Sequence, residues 1–469
     1  MAIRMESRDV RLQGVTEKEI RSPWQRKARP RTVGCVALRS HSFEESFDKR
    51  IEENFYLDLP TKLSALKASQ SVVSLVSRAR RGVKNILVFP CSGTIIGSKL
   101  EENGSFTHTI LTSANLLITR AASTSEDHPP LAPEPGIKVY VYLSSGDSFE
   151  GEIFGFNFHY NIAIIKFKSS SRFPTAILKH IDGSIPLTTK AELQNTSFGL
   201  RPHAEPSDLF NLCPGEKVIA LGRHYLSHSL MVAPGAFRLG VRRPGVFRPR
   251  FSGPGFRDGD CVELLTASCR ITVGGTGGPL INCNGEVIGI NFDEHSYTSF
   301  LPINIASRCL ECLEKNGRAP QPWFGVKVTS CNAISANMFE KIIQKFGHIT
   351  EGVLVEEVIP KSPACSSGVL PNDIIIRCGK QAVVSSSEFY GTLLDNTGES
   401  MEVIVMRPCL GRDLSLTIKV IDETNPKKYY RSLATSAEVF LFKRLAPHPL
   451  KKKRNFVNAV FFNELFNHD

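Results

Sequence analysis

The 469-residue chain is 41% hydrophobic and 22% charged, with a formal net charge of +11, a balance that excludes a disordered or fibrous chain and leaves room for two folded domains with extensions. No run of about 18 apolar residues occurs, which argues against a spanning helix. The twelve cysteines are scattered, and the single C-x-x-C pair, Cys309 and Cys312, has no second pair to complete a zinc site, so buried thiols in a reducing compartment are expected, with no metal or cofactor.

Residues 1–58 read as a basic extension predicted to be disordered, with the proline-broken cluster Arg26-Lys27-Ala28-Arg29-Pro30-Arg31. The first twenty residues carry Glu6, Asp9, Glu17 and Glu19 and lack an apolar core, which argues against a secretory signal and weakens a transit peptide. Residues 423–469 read as a second basic tail, with Lys443-Arg444 and Lys451-Lys452-Lys453-Arg454. The two clusters favour nucleus or cytosol, with a plastid or mitochondrion as the alternative. Between the tails, Leu59-Pro60-Thr61 opens a helical stretch over 62–68, with threonine as its cap.

From Ser71 the texture is that of short strands. Val72–Val76, Ile86–Phe89 and Ser92–Gly97 lead to Ile110-Leu111-Thr112-Ser113-Ala114-Asn115-Leu116. Next come Lys138–Leu143, a turn at Ser144–Asp147, Phe149–Ile153 and Tyr160-Asn161-Ile162-Ala163-Ile164-Ile165-Lys166, and later Gly215–Gly222. The stretch Gly274-Gly275-Thr276-Gly277-Gly278-Pro279-Leu280 is a glycine-rich turn. It feeds a hairpin signalled by Asn284-Gly285 between two apolar runs. A hydroxyl held at the tip of such a turn, among backbone N–H groups, is the arrangement that presents a nucleophile beside an oxyanion hole. A helix over 304–316 follows. Then come Trp323-Phe324-Gly325-Val326, Gly352–Val358, Ser362-Pro363-Ala364, Gly368-Val369, Asn372-Asp373-Ile374-Ile375 and strands near 401–407 and 414–421.

In this order the segments resemble the HtrA/Deg (protease Do-like) serine proteases over about residues 70 to 422. The resemblance implies a mainly β chain: a chymotrypsin/trypsin-like double β-barrel over 59–320 and a PDZ domain over 321–422. It places Asn115 where the family has the histidine base, Asn161 where it has the orienting aspartate, and Thr276 where it has the nucleophilic serine. The oxyanion-hole backbone falls at Gly274 and Gly275. The peptide-binding loop falls at Trp323, Phe324, Gly325 and Val326, beside an exposed strand edge that can accept a peptide as an added strand.

Chemistry then weighs against hydrolysis. An amide does not remove a proton near neutral pH, so Asn115 cannot act as the base and leaves Asn161 no imidazole to orient, and the β-methyl of threonine restricts its hydroxyl. His108 and His159 lie near the altered positions in sequence, but neither occupies the motif position. The reading is therefore an inactive homologue that binds peptides or protein C-termini as a scaffold or chaperone-like protein, alone or in an oligomer (a trimer by family resemblance). The alternative is an active serine-type endopeptidase in protein quality control. Residues 237–257 hold six arginines and four phenylalanines without an acid. They read as a loop rather than a nucleic-acid surface, since no RNA-binding signature accompanies them.

Overall fold

A computed structural model describes residues 57–81, 84–118, 133, 135–182, 210–238, 263–294, 297–345, 352–408 and 410–422. The basic extension up to residue 56, the 423–469 tail and all but the first two residues of the 237–257 segment lie outside the described residues.

The first barrel closes from β1 (Val72–Arg81), β2 (Lys84–Leu100), β3 (Phe106–Ser113), β4 (Ile137–Tyr142), β5 (Ser148–Asn157) and β6 (Ile162–Ser169), in the order β1-β2-β3-β6-β5-β4. Strand β5 alternates between exposed and half-buried positions, as a strand with one wet face must. Strand β6 does not alternate: Ile162 to Ile165 are all buried. Ala163 and Ile165 enter the first barrel's own core, whereas Ile162 and Ile164 join a second cluster with Leu221, Ile281 and Ile290. A strand covered on both faces reads as a continuous apolar run.

After the short parallel pair β7 (Ile181–Asp182) and β8 (Phe210–Asn211), the second barrel forms. Its strands are β9 (Lys217–Arg223), β10 (Leu230–Arg238), β11 (Leu265–Ala267), β12 (Pro279–Ile281), β13 (Val287–Glu294) and β14 (Tyr297–Pro302). They close in the order β10-β11-β14-β13-β12-β9 around Val218, Ala220, Met231, Leu280, Ile288 and Phe300. The two barrels expected from the resemblance are present, and β12 turns into β13 at Asn284-Gly285.

Helix α1 (Leu59–Ser69) precedes the first barrel and starts earlier than its sequence suggested. Its cap is Asp58, not Thr61: the Asp58 carboxylate accepts the Thr61 N–H at 2.8 Å, and Pro60 occupies the first turn. Helix α2 (Ile303–Asn316) follows β14, buries Ile303, Ile305, Ala306, Cys309 and Leu313, and stops at the left-handed Gly317. Cys309 is buried, and the nine cysteines among the described residues are all free thiols.

The C-terminal part begins with β15 (Pro322–Trp323), which pairs with the last strand, β22 (Ile421–Asp422). Between them lies a sheet of β16 (Val326–Ser330), β17 (Val353–Val358), β18 (Ile374–Cys378), β20 (Ser400–Arg407) and β21 (Arg412–Lys419), in that order, with β19 (Gln381–Ala382) attached to β18. Helices α3 (Ala336–Lys345), α4 (Pro363–Ser366) and α5 (Ser386–Asp395) complete it. Among the described strands β16 lies at the sheet's edge and pairs with β17 alone. No described helix is long and apolar enough to cross a membrane.

Candidate functional site

Asn161 ends the turn between β5 and β6 in the left-handed region, at φ 51°, a conformation that asparagine tolerates better than most residues. Its buried side-chain oxygen accepts the Ser113 hydroxyl at 2.8 Å and the Asn115 N–H at 3.1 Å. Because the Asn115 backbone nitrogen can only donate, the amide oxygen must be the atom at that end. The other end is then an NH2 group, a donor only. A carboxylate here would keep a second acceptor oxygen free for an imidazole. Asn115 itself is the second residue of a one-turn 3-10 helix, Ala114–Leu117, capped by Ser113, and it is buried.

Thr276 sits one residue past another 3-10 turn, Val273–Gly275, and is 3% exposed. Gly277 follows at φ +78°. A Cβ there would lie 2.6 Å from the Ser92 carbonyl and Thr112 Oγ1 and 2.7 Å from the Ser113 nitrogen. Only glycine lets the second barrel's loop press this closely on the strand that carries Ser113. Through this contact, Thr276 is brought to the same seam between the barrels as Asn115 and Asn161.

The Thr276 hydroxyl accepts the Asp293 N–H at 3.3 Å, and no described histidine is bonded to it. The backbone donors nearby are engaged too. Gly275 N–H donates to the Thr272 carbonyl at 2.8 Å, and Thr276 N–H donates to the Val273 carbonyl at 3.1 Å. An oxyanion would find those N–H groups facing the loop's own carbonyls, where catalysis needs them free and aimed at the developing charge.

His108 and His159 serve other tasks. His108 is fully buried in the first barrel, stacked on Phe167 at 4.8 Å, with Nε2 facing the Ser169 hydroxyl at 2.9 Å. Burial holds its pKa below the ordinary imidazole value. His159 Nδ1 faces the Gln321 amide nitrogen at 3.1 Å. The His159 Nε2 lies 3.6 Å from the Glu263 carboxylate. His159 thus ties the Asn161 turn to the second barrel and to the segment before β15.

Two residues with large structural roles at the seam escaped the sequence reading. Ser92 donates its backbone N–H to the Thr276 carbonyl at 2.9 Å and its hydroxyl to the Gly274 carbonyl at 2.6 Å, and that hydroxyl accepts the Arg223 N–H at 2.8 Å. The buried Arg223 guanidinium donates to the carbonyls of Val72 at 2.5 Å, Ser69 at 2.8 Å and His228 at 2.9 Å, and burial lowers its pKa. A serine beside Gly93 and an arginine after an apolar strand carry no spacing signal of such roles.

In the C-terminal sheet, Gly325 stands between β15 and β16 at φ +86°, and a Cβ there would lie 2.0 Å from Ser362 Cβ. Its carbonyl accepts the Ile359 N–H at 2.8 Å, and the Phe324 carbonyl accepts the Ala364 N–H at 3.1 Å. Trp323 pairs with Ile421, and Val326 starts the edge strand opposite Val358. Between β16 and α5, Phe324, Val326, Val328, Phe389 and Leu393 form part of one buried cluster, with Phe324 edge-on to Phe389 at 5.6 Å.

Comparison with known proteins places these features among proteases. The trypsin-like peptidase domain family matches residues 91–290. The putative protease Do-like 14 of Arabidopsis thaliana is 30% identical over 340 residues, spanning 71% of this chain and 65% of that protein. Serine protease HTRA3 of Homo sapiens is 27% identical over 301 residues, spanning 63% and 57% respectively. The chain therefore spans less than two thirds of the length of these relatives. Among solved structures, an HtrA-type protease AlgW with tripeptide aligns over 76% of this chain and 96% of its own, at 17% identity and a TM-score of 0.44.

Proposed function

This chain is a protease homologue of the HtrA/Deg, or protease Do-like, family, and on that premise we propose that it binds peptides without cleaving them. The observation that carries the reading is the Asn161 amide, whose oxygen is taken by Ser113 and Asn115 and whose other end offers no acceptor. With Asn115 in place of a base and the Thr276 hydroxyl accepting the Asp293 backbone N–H, the position that holds the general base in the family offers the hydroxyl no proton acceptor. Binding and a partial oxyanion site alone would leave roughly 10³–10⁴-fold over water, which for a peptide bond is negligible turnover.

Ligand binding is assigned to the 321–422 part, read as a PDZ domain that takes free C-termini at Trp323–Val326. The edge position of β16 and the left-handed Gly325 support it: an extended peptide adds to the free edge, while loop N–H groups receive the terminal carboxylate. The barrels then act as a scaffold or holder.

The test pairs two assays on the full chain. A peptide library with free C-termini is expected to bind, amidated versions more weakly, and no member to be hydrolysed faster by the native protein than by Thr276→Ala. A fluorophosphonate is expected to leave Thr276 unlabelled. Hydrolysis abolished by Thr276→Ala would establish an active endopeptidase instead, and equal binding of free and amidated peptides would remove the carboxylate-reading assignment.

A further inference from the structure

The sequence holds three Asn-Gly pairs, Asn103-Gly104, Asn284-Gly285 and Asn316-Gly317. A glycine after asparagine carries no Cβ, so its backbone nitrogen can approach the preceding carboxamide carbon closely. In all three pairs the glycine is left-handed, at φ 79°, 79° and 70°. Its N–H is bonded in each case, to the carbonyl of Glu101 at 3.0 Å, of Asn282 at 3.1 Å and of Leu313 at 3.0 Å. The glycines are therefore alike, and the difference lies at the carboxamide and in what surrounds it.

Asn103 stands exposed at the tip of the β2–β3 hairpin, which the Glu101 N–H closes by donating to the Ser105 carbonyl at 2.8 Å. The Asn103 side-chain oxygen accepts two donors from one residue, the Ser105 N–H at 3.0 Å and the Ser105 hydroxyl at 2.7 Å. A backbone N–H can only donate, so the oxygen must be the atom at that end. Two donors on a carbonyl oxygen draw electron density from its carbon and favour negative charge on the oxygen, as an oxyanion hole does. Among the described residues, no hydrogen bond reaches the carboxamide of Asn284 or Asn316. A Cβ at Gly104 would meet nothing within 4 Å, whereas one at Gly285 would lie 3.0 Å from the Ser64 carbonyl, and Lys67 holds the Asn284 carbonyl at 3.2 Å. Asn316 is the last residue of α2, so the helix fixes its backbone.

We propose that Asn103 is a self-modification site, deamidating through its own backbone with water as the co-reactant. Hydroxide takes the Gly104 amide proton, and the nitrogen bonds to the Asn103 side-chain carbon. The two Ser105 donors hold the oxyanion that forms. As it collapses, the bond from carbon to Nδ2 breaks, and ammonia leaves with a proton from water, which returns the hydroxide. Water then opens the cyclic imide at either carbonyl, leaving aspartate or isoaspartate at position 103, and nothing is oxidised or reduced. Where aspartate results, the same Ser105 donors receive a carboxylate through charge-assisted bonds. The hairpin tip, which already carries Glu101 and Glu102, thereby gains a third negative charge as the molecule ages.

The test follows the full chain by peptide mapping during incubation at neutral pH, scoring the mass gain of deamidation at each pair and isoaspartate with a methyltransferase specific for it. In the folded chain, position 103 is expected to convert at least about fivefold faster than 284 or 316, and within about twofold of them once urea unfolds it. Ser105→Ala is expected to slow position 103 by about threefold or more in the folded chain and not in the unfolded one. Ser105→Thr, which keeps the hydroxyl, is expected to stay near the native rate. Equal or faster conversion at 284 or 316 in the folded chain overturns the proposal. A rate at 103 indifferent to Ser105→Ala also overturns it, since an ordinary exposed pair would then suffice. So does slower conversion at 103 in the folded chain than in the unfolded one, which would mean that the turn protects the amide.

Discussion

The Arg308 guanidinium of α2 bonds both carboxylate oxygens of Asp395 through Nε, at 3.1 and 3.0 Å, and so pins the C-terminal end of α5 to the last helix of the barrel region. Helix α5 is one wall of the space beside β16, and that space is filled by Val326, Val328, Phe389 and Leu393, none more than 9% exposed. An incoming side chain is therefore expected to push α5 outward. Both partners are partly solvated, so the pair itself is worth about 0–1 kcal/mol. Arg308→Ala is therefore expected to leave the unfolding midpoint nearly unchanged while tightening C-terminal peptide binding by up to about fivefold, read by calorimetry. Unchanged or weakened binding would show that α5 is not restrained by this contact.

Asn161→Ala removes the acceptor of the Ser113 hydroxyl and the Asn115 N–H, both buried, and puts alanine at φ 51°. The expected loss is about 2–4 kcal/mol in denaturant unfolding. Asn161→Asp keeps an acceptor oxygen and a residue that tolerates the left-handed region, so its loss is expected to be smaller. Equal losses would mean that the hydrogen bonds, and not only the backbone, contribute little.

Arg223→Met retains the side chain's length and strands the carbonyls of Val72, Ser69 and His228. A loss of roughly 3 kcal/mol is expected. Arg223→Lys, a single ammonium in place of a planar fork, is expected to recover less than half of it. Full recovery by lysine would show that charge, not the three-way geometry, matters there.

Burial lowers the pKa of His108 and His228, the latter further depressed by Arg223. A histidine held neutral in the folded state stabilises it fully above its unfolded pKa of about 6.5, and this contribution is lost as pH falls through the folded value. The urea midpoint is therefore expected to drop between pH 7.5 and pH 5.0, and His108→Phe, joining the rings of Phe167 and Phe173, is expected to shrink the drop. Identical midpoints at both pH values would contradict the assignment.

The barrel frames were legible because their signals are local: Asn284-Gly285 at a hairpin, alternation along β5, and the apolar run of β6. The helix cap was misread by three residues because Thr61 and Asp58 are both good caps, and only the fold decides that the Asp58 carboxylate meets the Thr61 N–H. The engagement of Gly275 and Thr276 N–H groups by Thr272 and Val273 was not legible, because a glycine-rich loop of one composition can turn its peptides either way. Nor was the clash that a side chain at Gly325 would meet at Ser362, 37 residues away. A β-branched residue at Gly325 would thus disturb the sheet as well as any ligand, which makes peptide amidation the cleaner probe.

Ser92 has a bearing on the order in which this molecule can assemble. Its hydroxyl meets a carbonyl 182 positions further along the chain, and its backbone N–H reaches the neighbouring loop. During synthesis the first six strands can close around their own core while both partners are still untranslated. The finished first barrel must then wait, with the Ser92 edge of β2 and the Ile162–Ile164 face of β6 uncovered, until residue 276 has emerged. Contacts of such long sequence separation form slowly. The nascent protein therefore passes through a stage in which one side of its interior seam faces the surrounding medium.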